Sequence, residues 1–320
     1  MKRLNVLFIT RNDSSYTVPA SHYFIKELDQ ITNLSISYQS GPLQKMINNC
    51  WHKPDIVYLN DHLDNGSPIV TGLKDVTIPV AAGLHDLHYR FEFRKRMLQR
   101  ERLSYIFTYY RDKFLQWYPE FTKAMRWLPH HANTAVYKDY KLEKDIDILL
   151  TGAMIESVYP LRFNMLQRLH GKPGFQYHKH PGYRQVHQKE DVLVGESYAR
   201  ELNRAKICLT CDSIFHYPLM KYFEITACNA LLMAPVSDEL LDLGFMPGIH
   251  FVSIDEKNFE AKIDYYLQHD AEREQIARNG MHLSHTKHAT KYRALEFVGK
   301  LQEIVQLEKN KKTATEKEPT

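Results

Sequence analysis

Short apolar runs and amphipathic stretches alternate along the first half of the chain. Residues 5–10 (NVLFIT) and 55–60 (DIVYLN) are compact apolar runs, the pattern of strands buried on both faces of a parallel sheet. Residues 78–84, 105–109 and 126–128 read as further strands, and 34–38 alternates in a two-residue period. Between them, 17–30 carries Val18, Phe24, Ile25 and Leu28 at helical spacing. A short helix over 46–51 is stopped by Pro54, and 90–102 and 111–117 read as helices. Strand and helix alternating at this pace predict βαβ units on a parallel sheet.

The pattern then restarts. Residues 132–144 (ANTAVYKDYKLEK) are polar and turn-rich, a connector. Strands are expected at 147–150, 175–178, 207–211, 231–234 and 251–254, with helices at 160–169, 198–204, 219–228, 237–243, 258–267 and 271–280. Residues 291–307 form a long amphipathic helix with Tyr292, Leu295, Phe297, Val298, Leu301, Ile304 and Val305 on a broad stripe. Two similar series predict an α/β protein of two Rossmann-like domains whose parallel sheets face across a cleft. The expected divisions are an amino-terminal Rossmann-like domain over 1–140, a carboxyl-terminal Rossmann-like domain over 141–290, and a helix over 291–308 packing back on the first domain. A charged tail over 309–320 (KNKKTATEKEPT) is expected to be disordered.

Composition narrows the classes. The chain has 320 residues, 43% hydrophobic and 25% charged, an ordinary globular balance. The net charge of +4 is far from a nucleic-acid footprint but suits a handler of phosphorylated ligands or a visitor to an anionic membrane. No apolar run reaches the ~18 residues of a membrane span. The opening MKRLNVLFITRNDSS turns polar without a small-residue cleavage site and reads as a first strand. Four cysteines make no disulfide framework. The expected location is cytoplasmic.

The chemistry concentrates in residues 216–255. Pro218 sits where a helix could begin, and Leu219, Tyr222, Phe223, Ile225 and Thr226 supply its packing face. Lys221 and Glu224 are i,i+3 and share one helix side, near the crevice beyond the strands' carboxyl ends. There, free N–H groups at the helix start and Lys221 would bind a diphosphate, while Glu224 would accept hydrogen bonds from a ribose. The plain alternative is an exposed ion pair on a surface helix.

From about 195 to 300 the chain resembles the carboxyl-terminal domain of group 1 GT-B glycosyltransferases, in particular the CgeB-like, spore-maturation-type branch. The words that carry the resemblance are YARELNRAKICL (198–209), KYFEITACNALLMAP (221–235), FMPGIHFVSID (245–255) and the helical run over 261–298. The resemblance implies the GT-B fold and a donor site in which Lys221 binds the diphosphate and Glu224 the ribose. Residues 145–152 (DIDILLTG) with Tyr159, Pro160 and Arg162 are similar to the opening of that domain; Gly152 would bring the chain close to the donor and Arg162 would add charge, or sit on the surface. Two positions depart from the family. His216 stands where retaining members often carry a Glu, eight residues before Glu224, and Asn229 stands where Gly is usual. Asn is the next-best residue for a left-handed helix terminus.

In the first domain the turn TRNDSSYT (10–17) has no glycine and is no dinucleotide fingerprint. Asn12, Asp13 and Ser14 are acceptor-side candidates. His85, Asp86 and His88 follow the strand IPVAAGL, a position that touches donor sugar or acceptor in such enzymes; a surface turn cap is the alternative. His85 and His216 are thus the catalytic candidates, with Asp86 on the acceptor side. Pro129, His130, His131 and Asn133 are expected to line the cleft. Cys208 and Cys211 with His216 make a poor zinc knuckle, because the fourth position falls at Lys221. His282, His285 and His288 fit an exposed polar turn, and the basic residues of 94–102 a solvated helix face. With Phe91, Phe93, Met97 and Leu98, that helix leaves peripheral contact with a membrane open.

These readings predict a hexosyltransferase-type enzyme that moves sugar from a nucleoside diphosphate sugar to an unidentified glycan, lipid-linked or protein acceptor. Retention of configuration and independence of metal are expected, with no cofactor and no nucleic-acid partner. The alternatives are a non-catalytic nucleotide-sugar binding or scaffold protein, and a nucleotide-sugar epimerase on the same fold.

Overall fold

The computed structural model describes residues 3–187 and 190–315. The chain divides into two compact units. One holds residues up to Asn12, Ser21–Pro129 and the chain from Arg293 onward; the other holds Asp13–Ala20 and His130–Tyr292.

The first unit contains strands β1 (Asn5–Ile9), β2 (Asn33–Ser37), β3 (Gly41–Pro42), β4 (Ile56–Leu59), β5 (Val70–Thr71), β6 (Val80–Leu84), β7 (Ile106–Thr108) and β8 (Met125–Trp127). Its helices are α1 (Ala20–Ile31), α2 (Leu43–Asn48), α3 (Phe91–Glu101) and α4 (Arg111–Trp117). Six strands form one parallel sheet in the order β2-β1-β4-β6-β7-β8. All four residues of β4 are buried, which explains its unbroken apolar sequence. The paired β3 and β5 were not foreseen: two residues are too few to show a period. Because β1 is flanked by β2 and β4, the winding reverses there, and the carboxyl ends of β1 and β4 border the natural ligand crevice of this sheet.

The second unit contains β9 (Ile146–Gly152), β10 (Phe175–Lys179), β11 (Ala205–Leu209), β12 (Leu231–Ala234) and β13 (Val252–Ser253). They form a parallel sheet in the order β10-β9-β11-β12-β13. Its helices are α5 (Pro160–Leu169), α6 (Gly195–Arg204), α7 (Lys221–Ala227), α8 (Asp238–Asp242), α9 (Phe259–Gln268) and α10 (Asp270–Lys287). The winding reverses between β9 and β11. Residues 13–20 belong here because Tyr16 bridges Gln185, Thr17 donates its amide N–H to the Arg184 carbonyl at 2.9 Å and Val186 donates to that of Ser15 at 2.7 Å. The α10 helix extends well past the expected 280. His285 and His288 therefore lie at a helix end, with ring nitrogens 2.9 Å from the Ala227 and Leu243 carbonyl oxygens, instead of in an exposed turn.

The last helix, α11 (Thr290–Thr315), packs on the first unit's sheet through Ala294, Phe297, Val298, Leu301, Ile304 and Val305. The Phe297 ring lies 5.3 Å from Phe24, 4.8 Å from Tyr58 and 5.1 Å from Phe107, each in an edge-on arrangement. The helix runs beyond 308, into the segment expected to be disordered. Glu308 accepts from the Tyr105 hydroxyl and Lys311 Nζ, both at 2.6 Å, and Lys312 Nζ donates to the Thr77 carbonyl at 2.9 Å. Those ties outweigh the polar composition of its last turns; the rest of the expected tail, 316–320, lies outside the described residues. No helix among the described residues is long and apolar enough to cross a membrane.

Phe297→Ala should remove a fully buried ring and cost ~3–5 kcal/mol. Urea unfolding followed by tyrosine fluorescence checks this; a loss below ~1 kcal/mol would show that α11 does not complete the core.

Candidate functional site

In the second unit β9 ends on Thr151 and Gly152 at the point where the winding reverses. Gly152 has φ 131°, and a Cβ there would stand 2.9 Å from the Arg162 guanidinium carbon. A side chain at 152 would thus displace Arg162. That arginine rises from the first turn of α5, which Pro160 opens. Its guanidinium carbon sits 4.1 Å from the Tyr159 ring centre, and Nη1 donates to the Ala153 carbonyl at 3.1 Å. Arg162 is buried, so it holds no surface position, and its Nε has no hydrogen-bond partner among the described residues. The buried hydroxyl of Thr210, one residue past β11, is equally unpartnered. Buried donors of this kind ordinarily have a partner, and leaving one unmet costs ~1–3 kcal/mol.

Lys221 opens α7, and its Nζ donates to the Tyr198 hydroxyl at 3.1 Å. The Tyr198 oxygen is in turn 3.0 Å from Thr151 Oγ1, so a chain of polar contacts joins the helix start to the end of β9. Burial pushes the Lys221 pKa down to about 8, against the pull of Glu224 and with the help of Arg162. Glu224 is buried one helical turn on. Burial raises its pKa, while Lys221 and a hydrogen bond from Tyr137 lower it. His180, just past β10, is held neutral: burial, Lys221 and Arg162 together depress its pKa to about 4. Arg162, Lys221, Glu224 and Gly152 are therefore one neighbourhood. Thr151, Tyr198, Tyr137 and His180 complete it, and sequence spacing did not mark them because they arrive from separate elements.

The amide N–H groups of Tyr222, Phe223 and Glu224 donate to the carbonyls of Leu219, Met220 and Met220 at 3.0, 3.0 and 3.1 Å, in the turn that opens α7.

His216 lies between β11 and α7. Its side chain is 70% exposed, with Nδ1 2.6 Å from the Asp212 carboxylate, and its φ is 56°. A positive φ is uncommon for a non-glycine residue and is a feature of functional sites. Cys208 and Cys211 are buried thiols whose pKa values burial pushes up to about 12 and about 11. Among the described residues no three His, Cys, Asp or Glu side chains are grouped to hold a metal ion.

The first unit has its own polar cluster at the carboxyl ends of β4 and β6. His85 donates its amide N–H to Asp61 Oδ1 at 3.2 Å, has Nδ1 3.5 Å from Asp61 Oδ2, and lies over Tyr109 at 4.4 Å. Burial, opposed by Asp86, depresses the His85 pKa to about 3, so its ring is neutral. Arg94 is fully buried, with Nη2 3.7 Å from Asp61 and 3.5 Å from Asp64, and Nη1 donating to the Asp86 carbonyl at 2.7 Å. The expected solvated helix face is thus wrong at Arg94, which turns inward to two carboxylates. Asp61 and Leu63 have φ of 50° and 68°, which aims the Asp61 carboxylate at His85 and Arg94. The Asp86 side chain itself is exposed. Asn12 is exposed in the first unit, whereas Asp13 is buried in the second, so the two acceptor-side candidates fall in different units. His130 and His131 are buried in the second unit, His131 with its ring 3.0 Å from the Thr290 hydroxyl.

Residues 153–299 match the family model described as glycosyl transferase-like. The fold is similar to that of sucrose-phosphate synthase from Thermosynechococcus elongatus, at a TM-score of 0.65 and 10% identity over 95% of this chain and 100% of that one. HepE from Anabaena, solved in complex with UDP and glucose, gives a TM-score of 0.61 and 10% identity over 94% of this chain and 100% of that one. A glycosyltransferase from Rickettsia africae gives 0.61 and 11% over 96% and 99%. A search of curated protein sequences found no match. The chain has the GT-B fold, and its residues 153–299 are similar to the glycosyl transferase-like family.

Proposed function

We propose that this protein transfers a sugar, a hexosyl unit, from a nucleoside diphosphate sugar to an acceptor hydroxyl. The observation that carries the reading is the buried Arg162 Nε, unpartnered beside Lys221 at the carboxyl edge of the second sheet. A diphosphate placed there gives Arg162 its missing acceptor and gives Lys221 a reason to stay charged despite burial. Glu224, one turn along α7, accepts the ribose hydroxyls. The solved complexes of HepE with UDP and with UDP-glucose agree with a donor of this class, and the words over 198–255 favour the CgeB-like branch.

Transfer breaks the bond from the anomeric carbon to the diphosphate oxygen and forms one to the acceptor oxygen. The acceptor proton passes to the departing phosphate oxygen on the same face, which retains configuration. Two fixed cations stabilise charge where it develops, so no metal is required. In the first unit, neutral His85 and Asp61 offer hydrogen-bonding groups suited to hydroxyls. His216, paired with Asp212, takes the position of the family's Glu without supplying a negative charge. That pairing also favours a second reading, a protein that binds the donor without turnover; release of UDP from UDP-glucose in the presence of acceptor glycans separates the two. We infer a cytoplasmic protein with peripheral membrane contact.

Lys221→Ala should weaken UDP roughly tenfold to a hundredfold, because a charge-assisted contact contributes ~1.5–3 kcal/mol, and should leave uridine nearly unaffected. Glu224→Ala should weaken both. Since the Lys221 charge is present below about pH 8 and lost above it, UDP affinity of the parent should fall as pH rises from 7 to 10, and this fall should be absent in Lys221→Ala. Calorimetric titration measures all of these; folded variants that bind UDP like the parent would move the donor site elsewhere. Transfer activity should survive EDTA. Complete loss restored by magnesium or manganese would overturn the metal-independent mechanism.

A further inference from the structure

The opposite, amino-terminal edge of the second sheet carries a separate basic recess. It is a cavity of about 80 Å³ lined by Lys144, Lys206, Asn229, Arg273, Glu274 and Arg278. A polar cavity needs only ~10–15 Å³ to hold a water, so a tetrahedral oxyanion fits. Lys144 leads into β9, Lys206 lies at the start of β11 and Asn229 precedes β12. Arg273, Glu274 and Arg278 come from one side of α10. None of these residues contributes to the Arg162–Lys221 neighbourhood, which sits at the strands' other ends.

Four cations converge on this recess and Glu274 is its one lining carboxylate. The other partners approach from outside the lining. Lys206 pairs with Asp147 at 2.6 Å and the buried Arg273 with Asp270 at 2.5 Å. Arg278 pairs loosely with Glu274 at 3.3 Å. Lys144 Nζ donates to the carbonyls of Asn203 and Ala205, each at 3.0 Å. Burial pushes the Lys144 pKa down; Asp139, which accepts from Asn229 at 3.0 Å and is itself paired with Lys141, opposes the fall, and Arg273 adds to it. A concave site with cations left in excess attracts anions.

We propose that this recess binds a phosphate-class oxyanion, as the free ion or as a small phosphomonoester, at a second site distinct from the donor site. Lys144 and Arg273 form its floor, and Lys206 and Arg278 its rim. The rim side chains are partly exposed, so neutralising them leaves the fold intact.

The test uses the full chain and inorganic phosphate or glycerol 3-phosphate as probes, at constant ionic strength made up with chloride. Binding is followed by amide chemical shifts of Lys206 and Asn229. In the parent one of the two probes should saturate these shifts, and the tighter one tells free ion from ester. The double variant Lys206→Gln, Arg278→Gln should weaken that binding at least tenfold, whereas Lys221→Ala should leave it unchanged. A response that chloride alone reproduces, or that the double variant retains in full, would overturn the proposal. Loss of the response in Lys221→Ala would overturn its independence from the donor site. Failure of UDP to bind at Lys221 would touch only the proposed function, because these shifts report the other edge.

Discussion

A guanidinium buried at the end of a parallel strand is the constraint around which the second unit is arranged. Arg162 occupies its place only because position 152 has no side chain, and its charge is not met by any carboxylate that the structure places against it. Tyr159 covers one face and the Ala153 carbonyl takes one donor. Lys221 adds a second cation nearby, depressed in pKa by the same surroundings. Two cations held together in a poorly hydrated spot are unfavourable unless an anion joins them. Glu224 answers only part of that need, being itself pushed toward the neutral form by burial. The fold thus keeps a region of unmet positive potential at the place where a doubly wound sheet opens to ligand.

The first unit uses a related arrangement with the opposite outcome. Arg94 is as deeply buried as Arg162, yet two aspartates and a carbonyl surround it. The charge is balanced inside the protein, and what reaches the strand ends is a neutral histidine and a carboxylate. Such a surface suits hydroxyl groups better than phosphates. Both units thus bury an arginine near their strand ends, and the position of the carboxylates decides what each edge can bind.

Much of this architecture is legible in the residues. The runs over 5–10, 55–60 and 231–234 fall within one residue of strands at each end because full burial on both faces demands unbroken apolar sequence. The i,i+3 pairing of Lys221 and Glu224 placed them together for the reason helix geometry requires. What escaped are contacts between elements far apart in the chain. Nothing local to Tyr198 or Thr151 says that their hydroxyls meet. Arg94 sits in a run of basic residues that looks solvated throughout, and the turn at Asp61–Asp64, with positive φ at Asp61 and Leu63, supplies the carboxylates that draw it inward. The longer α11 reflects ties to Tyr105 and Thr77, which composition cannot reveal.

If Arg162 and Lys221 together hold a diphosphate, a crystal structure of the chain grown with UDP-glucose will show phosphate oxygens within hydrogen-bond distance of Arg162 Nε and Lys221 Nζ, with both ribose hydroxyls on the Glu224 carboxylate. Ordered nucleotide bound elsewhere, with Arg162 Nε still unpartnered, would contradict it.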